Sequence, residues 1–266
     1  LYNKFPDEPI AYIPSDHFIN DRKKFIDSIK LADKLIRETG KMLDIAITPT
    51  FPNTALGYTE VGELSHTENG IEVYKFKGHT EKPEFSVARD YLNLGNYLWH
   101  ANYYMWTPRR ILQSFAQNSP SHVELLNNIS QAYFDNDIEK VNSEFSKMEK
   151  ISFDYAITEK IDPNEVLIIK GDFGWSDVGA FDVLYDVQRS LVDEEANLVR
   201  GKWTGIKTSN CYIHNLDKQK LIATVGVDDL VVVNTPDVTL ICPKSKSQEI
   251  KQLVDKIKME EYKDYL

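Results

Sequence analysis

The stretch Val166-Leu-Ile-Ile-Lys-Gly-Asp-Phe-Gly-Trp-Ser-Asp-Val-Gly-Ala-Phe181 decides how the chain is read. The run Val166 to Ile169 is apolar and short, which predicts a buried strand. From Phe181 to Gln188 the pattern Phe-Asp-Val-Leu-Tyr-Asp-Val-Gln is amphipathic and predicts a helix. Between them lies a loop with three glycines, Gly171, Gly174 and Gly179, which lets the backbone turn and approach a ligand. In α/β proteins the carboxyl edge of the sheet is where ligands bind. Asp177 stands in this loop beside Trp175. It reads either as a helix N-cap or as a functional carboxylate.

Working outward, Ile10 to Ile13 predicts a second short strand, ending at Pro14-Ser-Asp-His17. Asp16 therefore repeats the placement of Asp177. Phe25, Ile29, Ala32 and Ile36 recur at helical spacing between Asp21 and Glu38, with Gly40 as C-cap. Leu43 to Thr48 reads as the next strand, which completes a βαβ unit with an expected right-handed parallel crossover. Thr59–Leu64 and Ile71–Phe76 flank Asn69-Gly70, a hairpin signal. A short helix over Ser86–Leu94 stops at Gly95, and the aromatic run Tyr97–Trp106 reads as a strand. Residues 107–149 read as a helical insertion opened by Thr107-Pro108. The mixed segment Ser152–Lys160 is expected to return the chain to the sheet.

After Asp193-Glu-Glu195, short strands and turns take over as far as Pro243, and a helix follows from Ser247 to about Met259. The expected architecture is α/β: a Rossmann-like, mostly parallel sheet with helices on both faces over residues 1–192. A small β-rich, β-helix-like domain follows over 193–266.

The bulk composition narrows the function. The 266 residues suit one large or two smaller domains. A formal net charge of −10 argues against nucleic acid or an anionic membrane as the main partner, but leaves room for an anionic small ligand in a local basic pocket. No stretch has the length of a membrane span, and no signal peptide is visible. Cys211 and Cys242 lie in apolar strand-like runs, which suits buried free thiols in a reducing, cytoplasmic setting. The chain opens Leu1-Tyr-Asn-Lys, without Met, and looks as though a preceding segment is missing.

Two carboxylates past neighbouring strands would repel unless a cation bridged them, and Mg²⁺ suits such a pair together with substrate phosphates. Asp16 and Asp177 are either that pair or two unrelated loop aspartates. Glu81-Lys82-Pro83 offers a carboxylate and an ammonium on a proline-held loop; it is either a sugar and phosphate contact or a solvated surface pair. Glu159-Lys160 carries the same ambiguity. The aromatic run 97–106 is either core or a stacking platform. No histidine pair has zinc spacing, and no P-loop or dinucleotide glycine motif is present.

Several segments, in order, resemble the mannose-1-phosphate guanylyltransferases among the sugar-phosphate nucleotidyltransferases. They are Ile13-Pro-Ser-Asp-His17, Gly57-Tyr-Thr-Glu-Val-Gly-Glu63, Glu81-Lys-Pro83, Tyr97-Leu-Trp99, Phe153-Asp-Tyr-Ala156 with Glu159-Lys160, Gly174-Trp-Ser-Asp-Val-Gly179, Asn197-Leu-Val-Arg-Gly201 and Val225-Gly-Val-Asp-Asp-Leu-Val-Val-Val233. The resemblance implies an enzyme joining mannose 1-phosphate to GTP, giving GDP-mannose and pyrophosphate. It implies Mg²⁺ on Asp16 and Asp177, and Lys82 on the sugar's phosphate. Glu81 and Gly57 would face the sugar, with Glu159 and Lys160 beside them, and Asp177 would lie near both metal and sugar. It also implies a homodimer through the C-terminal β-rich region.

Two departures qualify the match. The family's glycine-rich basic loop, which binds the triphosphate, is expected before Leu1. The family's Asn-Ser-Gly after the tryptophan is His100-Ala-Asn102 here. His100 then either takes over the sugar contact or marks a different pocket. A non-catalytic sugar-nucleotide-binding paralogue, or a transferase with another sugar or nucleotide, stays open.

Overall fold

The computed structural model describes residues 2–265. In chain order the strands and helices are β1 (Ile10–Ala11), β2 (Phe18–Ile19), α1 (Arg22–Thr39), β3 (Met42–Ile47), β4 (Tyr58–Glu68), β5 (Ile71–Thr80), α2 (Phe85–Leu94), β6 (Tyr97–Trp106), α3 (Pro108–Asn118), α4 (Pro120–Phe134), α5 (Ile138–Ser146), β7 (Val166–Gly171), β8 (Trp175–Ser176), α6 (Phe181–Val187), β9 (Leu198–Arg200), β10 (Trp203–Ile206), β11 (Tyr212–Asn215), β12 (Ile222–Val225), β13 (Leu230–Asn234), β14 (Thr239–Pro243) and α7 (Ile250–Met259). A π-helical turn covers Asp154–Thr158. Chain contacts divide these residues into two units. One runs to Ser15 and resumes over Ile19–Trp175; the other holds Asp16–Phe18 and everything from Ser176 onward.

The first unit is built on a six-stranded sheet ordered β1-β6-β3-β7-β5-β4. Only β3 and β7 pair in parallel, from Met42 opposite Val166 to Ile47 opposite Gly171. The sheet is therefore mixed, not mostly parallel. The physical reason lies in two local elements. Asn69 (φ 51°) and Gly70 (φ 80°) make the tight turn that folds β4 back on β5, so β5 meets β7 antiparallel. β6 lies between β1 and β3, antiparallel to both, so the expected βαβ strands point the same way without touching.

Helix α1 forms where apolar residues recur every three or four positions. Asp21 caps its start by accepting from the Lys24 N–H at 3.0 Å, and Gly40 ends it in the left-handed conformation. Its buried face, Leu31, Ala32, Leu35 and Ile36, packs with Leu43, Ile45, Leu167 and Ile169 on one side of the sheet. On the other side Met42, Ala46, Tyr104, Trp106 and Ile168 pack with Ala156 and Ile157 of the π-helical turn. Every residue of β3 is buried, Asp44 included. The aromatic run of β6 is core rather than an open platform: Trp99, Tyr103, Tyr104 and Trp106 are all buried. Residues 152–160 do not rejoin the sheet. Their middle, Asp154–Thr158, forms the π-helical turn, and the chain re-enters the sheet only at Val166.

The second unit is a short coil of mostly parallel strands, with β14 antiparallel on β13. Leu198, Tyr212 and Val231 stack in register across β9, β11 and β13, and β10 pairs in parallel with β12. Successive rungs share buried asparagines: Asn234 Nδ2 donates to Asn215 Oδ1 at 2.9 Å, and Asn215 Nδ2 donates to the Lys202 and Lys220 carbonyls. The Asn215 amide thereby satisfies backbone carbonyls that a corner of the coil would otherwise leave unpaired, and Asn234 holds Asn215 in place. Cys211 and Cys242 are both free thiols. Among the described residues no helix is long and apolar enough to cross a membrane.

Candidate active site

In the first unit the site grows from the end of β5. Glu81 follows the strand, and Pro83 restricts Lys82 away from the right-handed helical region. Lys82 sits at φ 46°, a left-handed conformation that a non-glycine residue adopts at a cost of about 1–3 kcal/mol. The strained turn separates two charges of opposite exposure. The Glu81 side chain is 8% exposed, whereas that of Lys82 is 57% exposed. The ammonium of Lys82 contacts Glu81 Oε1, and His79 Nε2 lies 3.3 Å from Glu81 Oε2. From the π-helical turn, Glu159 Oε1 accepts the Glu81 N–H at 3.1 Å.

Gly57 makes this cradle possible. A Cβ on Gly57 would stand 2.4 Å from Glu81 Oε2 and 2.6 Å from His79 Cε1. Gly57, Glu81, Lys82 and Glu159, expected to act together, are therefore brought together. Lys160 lies exposed at the end of the same turn.

Beneath Glu81 runs a buried polar chain. The His79 and His100 rings meet edge to face, 4.7 Å between centroids. His100 Nδ1 donates to Asp44 Oδ2 at 2.9 Å, and Nε2 donates to the Tyr104 hydroxyl at 2.7 Å. Tyr104 in turn donates to Asp154 Oδ1, and Thr158 Oγ1 stands 3.0 Å from the same hydroxyl.

Burial opposes a charge on His100, but the Asp44 and Asp154 carboxylates outweigh it and push its pKa up to about 10. Asp154 shows the mirror effect: burial pushes upward, yet hydrogen bonds from His100 and Tyr104 prevail and bring it down to about 2. Glu81 is likewise held below its ordinary value, because bonds from His79 and Lys82 outweigh its burial.

His100 thus corrects one expectation. Both of its ring nitrogens are occupied inside the protein, so it has no donor left for a sugar. Asp44, His79, Tyr104 and Asp154 were not singled out from sequence, although signals existed. Asp44 interrupts an apolar strand, where an unpaired carboxylate would be very unfavourable. His79 precedes Glu81 by two residues, the spacing that aligns side chains along a strand.

His79, Glu81 and Asp154 also offer ligand atoms within 4.8 Å of one another. The Lys82 ammonium and the Tyr104 hydroxyl already occupy two of the carboxylate oxygens, however, so hydrogen bonding describes the group better than metal binding.

In the second unit Asp16 and Asp177 share one end of a ribbon. β2 pairs with β8. The Asn20 N–H bonds the Gly174 carbonyl at 3.1 Å and the Asp21 N–H bonds the Phe173 carbonyl at 2.9 Å, so the two segments run antiparallel. Asp16 precedes β2 and Asp177 follows β8, which leaves both at the other end. His17 registers both: burial lowers its pKa, while Asp16 and Asp177 each pull it upward. This ribbon, not a pair of neighbouring long strands, relates the two carboxylates.

Asp177 is not a helix cap. Helix α6 starts at Phe181 with Ala180 in the cap position and no side-chain cap bond. The loop bends tightly past Asp177 instead. Val178 takes φ 46°, an outlier for a β-branched residue, and its N–H donates to Ser176 Oγ at 3.3 Å. A Cβ on Gly179 would come within 3.3 Å of Asp177 Oδ2. Asp16 is exposed and Asp177 half-buried, so this end of the ribbon carries two carboxylates that water reaches.

Residues 201–257 match the MannoseP isomerase/GMP-like beta-helix domain. A mannose-1-phosphate guanylyltransferase of Salmonella montevideo is 30% identical over 97% of this chain and 54% of its own length. One from Klebsiella pneumoniae is 30% identical with the same coverage. The chain thus spans about half the length of the curated relatives it matches. A crystal structure from Thermus thermophilus, described as a mannose-1-phosphate geranyltransferase, superposes with a TM-score of 0.77 at 26% identity, covering 94% of this chain and 70% of that one. The strained loops around Glu81-Lys82 and Asp177 both lie within residues 1–194, which match the Nucleotidyl transferase family over most of the chain's length, and the chain belongs to that family.

Proposed function

We infer that the chain carries out the transfer its relatives are named for, joining mannose 1-phosphate to GTP to give GDP-mannose and pyrophosphate. The observation that carries this reading is the Glu81-Lys82 pair. A nearly buried carboxylate and an exposed ammonium are held side by side by a strained turn over Gly57. That arrangement suits a sugar phosphate, with hydroxyls donating to Glu81 and phosphate oxygens meeting Lys82 as a point charge.

Asp16 and Asp177 would hold Mg²⁺, which when bound neutralises charge on the triphosphate. The chain's own residues supply position and electrostatics. Lys82 draws the sugar phosphate out of water and fixes its orientation, and Glu81, steadied by His79 and Glu159, fixes the ring. An oxygen of the sugar phosphate forms the new bond to the α-phosphorus of GTP, and the bond from that phosphorus to the bridging oxygen breaks, so pyrophosphate leaves with the electron pair.

The position of His100 favours a second reading, a related transferase that takes another sugar. The ring offers no donor where the family's asparagine would. Phosphorus NMR of reaction mixtures separates the two. New diphosphate resonances with mannose 1-phosphate and GTP support the first, and resonances only with another sugar 1-phosphate support the second. Neither signal with any pair leaves a non-catalytic binding protein.

The two free cysteines suit a reducing, cytoplasmic setting. The second unit exposes Ile206 and Val225, paired across β10 and β12, the surface we assign to a homodimer. Light scattering showing a monomer at micromolar concentration would remove that assignment.

A further inference from the structure

The proposed transfer leaves a set of buried groups without a task. Asp44, His100 and Tyr104 form a continuous hydrogen-bonded line that ends on Asp154. Burying a histidine–carboxylate pair in a sheet is not in itself a source of stability, because apolar residues of the same volume commonly do as well or better. The line therefore calls for a role at its open end.

Asp154 is that end. His100 is 1% exposed at its side chain and both nitrogens are used, so it touches no ligand. Asp154 is 15% exposed. Its carboxylate lies within 4.8 Å of the ligand atoms of Glu81 and His79, inside the same cradle. Two independent elements fix it: Tyr104 from β6, and the π-helical turn that carries it, whose Thr158 also bonds the Tyr104 hydroxyl. A π-helical turn is rare and is found often at functional positions.

The geometry points to His100 and Tyr104 as positioning residues that hold the Asp154 carboxylate ready to accept a hydroxyl of the sugar, beside the one taken by Glu81. This rests on the sugar-phosphate reading above. The cradle then presents acceptors rather than donors to the ring. Such a site rejects an analogue that lacks the hydroxyl, because the carboxylate would be left without its partner. It tolerates changes at hydroxyls that neither carboxylate meets.

The test is steady-state turnover with GTP and a panel of mannose 1-phosphates, each lacking one ring hydroxyl, for wild type, Tyr104→Phe, Asp154→Asn and the double variant. In wild type at least one deoxy analogue loses roughly 10- to 100-fold in kcat/KM, the range for a hydrogen bond to a charged group. Tyr104→Phe shrinks that discrimination and raises KM for mannose 1-phosphate without moving KM for GTP. Asp154→Asn does the same, and the double variant adds little. Unchanged discrimination in Asp154→Asn overturns the proposal even if Tyr104→Phe does not fold, and so does an equal rise in KM for GTP. No turnover by wild type with any sugar refutes the parent reading, and the proposal falls with it. Turnover by wild type with undisturbed variants refutes the proposal alone.

Discussion

Replacing Gly57 by Ala asks a single question of the cradle. A Cβ there would meet Glu81 Oε2 at 2.4 Å and His79 Cε1 at 2.6 Å, whereas ordinary contact begins near 3.4 Å. Each neighbour must therefore retreat by about 1 Å. Gly57 has no left-handed φ, so the alanine backbone is unstrained and the effect is steric alone.

Glu81 Oε2 is the far end of a side chain and can move, which puts the stability loss near the low end of the overpacking range, about 1 kcal/mol. For a protein of this size that lowers Tm by roughly 2–4 °C. The retreat also pulls Glu81 from His79 and Lys82. Loss of one charge-assisted contact to the sugar raises KM for the sugar 1-phosphate by roughly 10- to 100-fold.

Gly78 provides the control. It lies on the adjoining strand with nothing within 4 Å of an added Cβ, so Gly78→Ala leaves KM unchanged. The assay is pyrophosphate release under varied sugar phosphate, with a thermal melt alongside. Wild-type KM in Gly57→Ala, or an equal rise in both variants, would refute the steric reasoning.

Three further outcomes follow from the same structure. His100 is raised to about 10 in the fold, so the stability it contributes is fully present below about pH 6.5 and is lost as pH rises towards 10; ring nitrogen NMR at pH 8 should still show an imidazolium, and a neutral ring would contradict the network. Asp154 is depressed to about 2, so its contribution is present above about pH 3.8 and fades as pH falls towards 2; Asp154→Asn should flatten the acid limb of a denaturation series, and an unaltered limb would show that the carboxylate is not held. Gly70 turns the β4–β5 hairpin at φ 80°, so Gly70→Ala should cost about 1 kcal/mol and a few degrees of Tm with KM untouched.

Much of the fold was legible because local signals agreed. The period of α1, its Gly40 C-cap and the Asn69-Gly70 turn each named an element that the structure contains. Strand direction was not legible. It depends on which strands meet, and β6 enters between β1 and β3 from far along the chain.

The site divided in the same way. Glu81 and Lys82 stood out as a charged pair on a proline-held loop, and Gly57 entered only through the family resemblance; the structure sets the three side by side. Asp44 and Asp154 did not stand out, because a buried carboxylate is recognisable only through its partner, and His100 stands far from both in sequence. Asp177 was ambiguous until the start of α6 at Phe181 removed the capping alternative.

The account turns on metal-dependent transfer by a protein whose Asp16 and Asp177 share one end of a ribbon. The direct measurement is pyrophosphate release from GTP on addition of mannose 1-phosphate, titrated with Mg²⁺, in wild type and Asp177→Ala. The prediction is release that requires both the sugar phosphate and Mg²⁺ and is lost in Asp177→Ala, while the variant keeps the wild-type melt. Release that persists in the folded variant, or that proceeds undiminished in chelator, would contradict it.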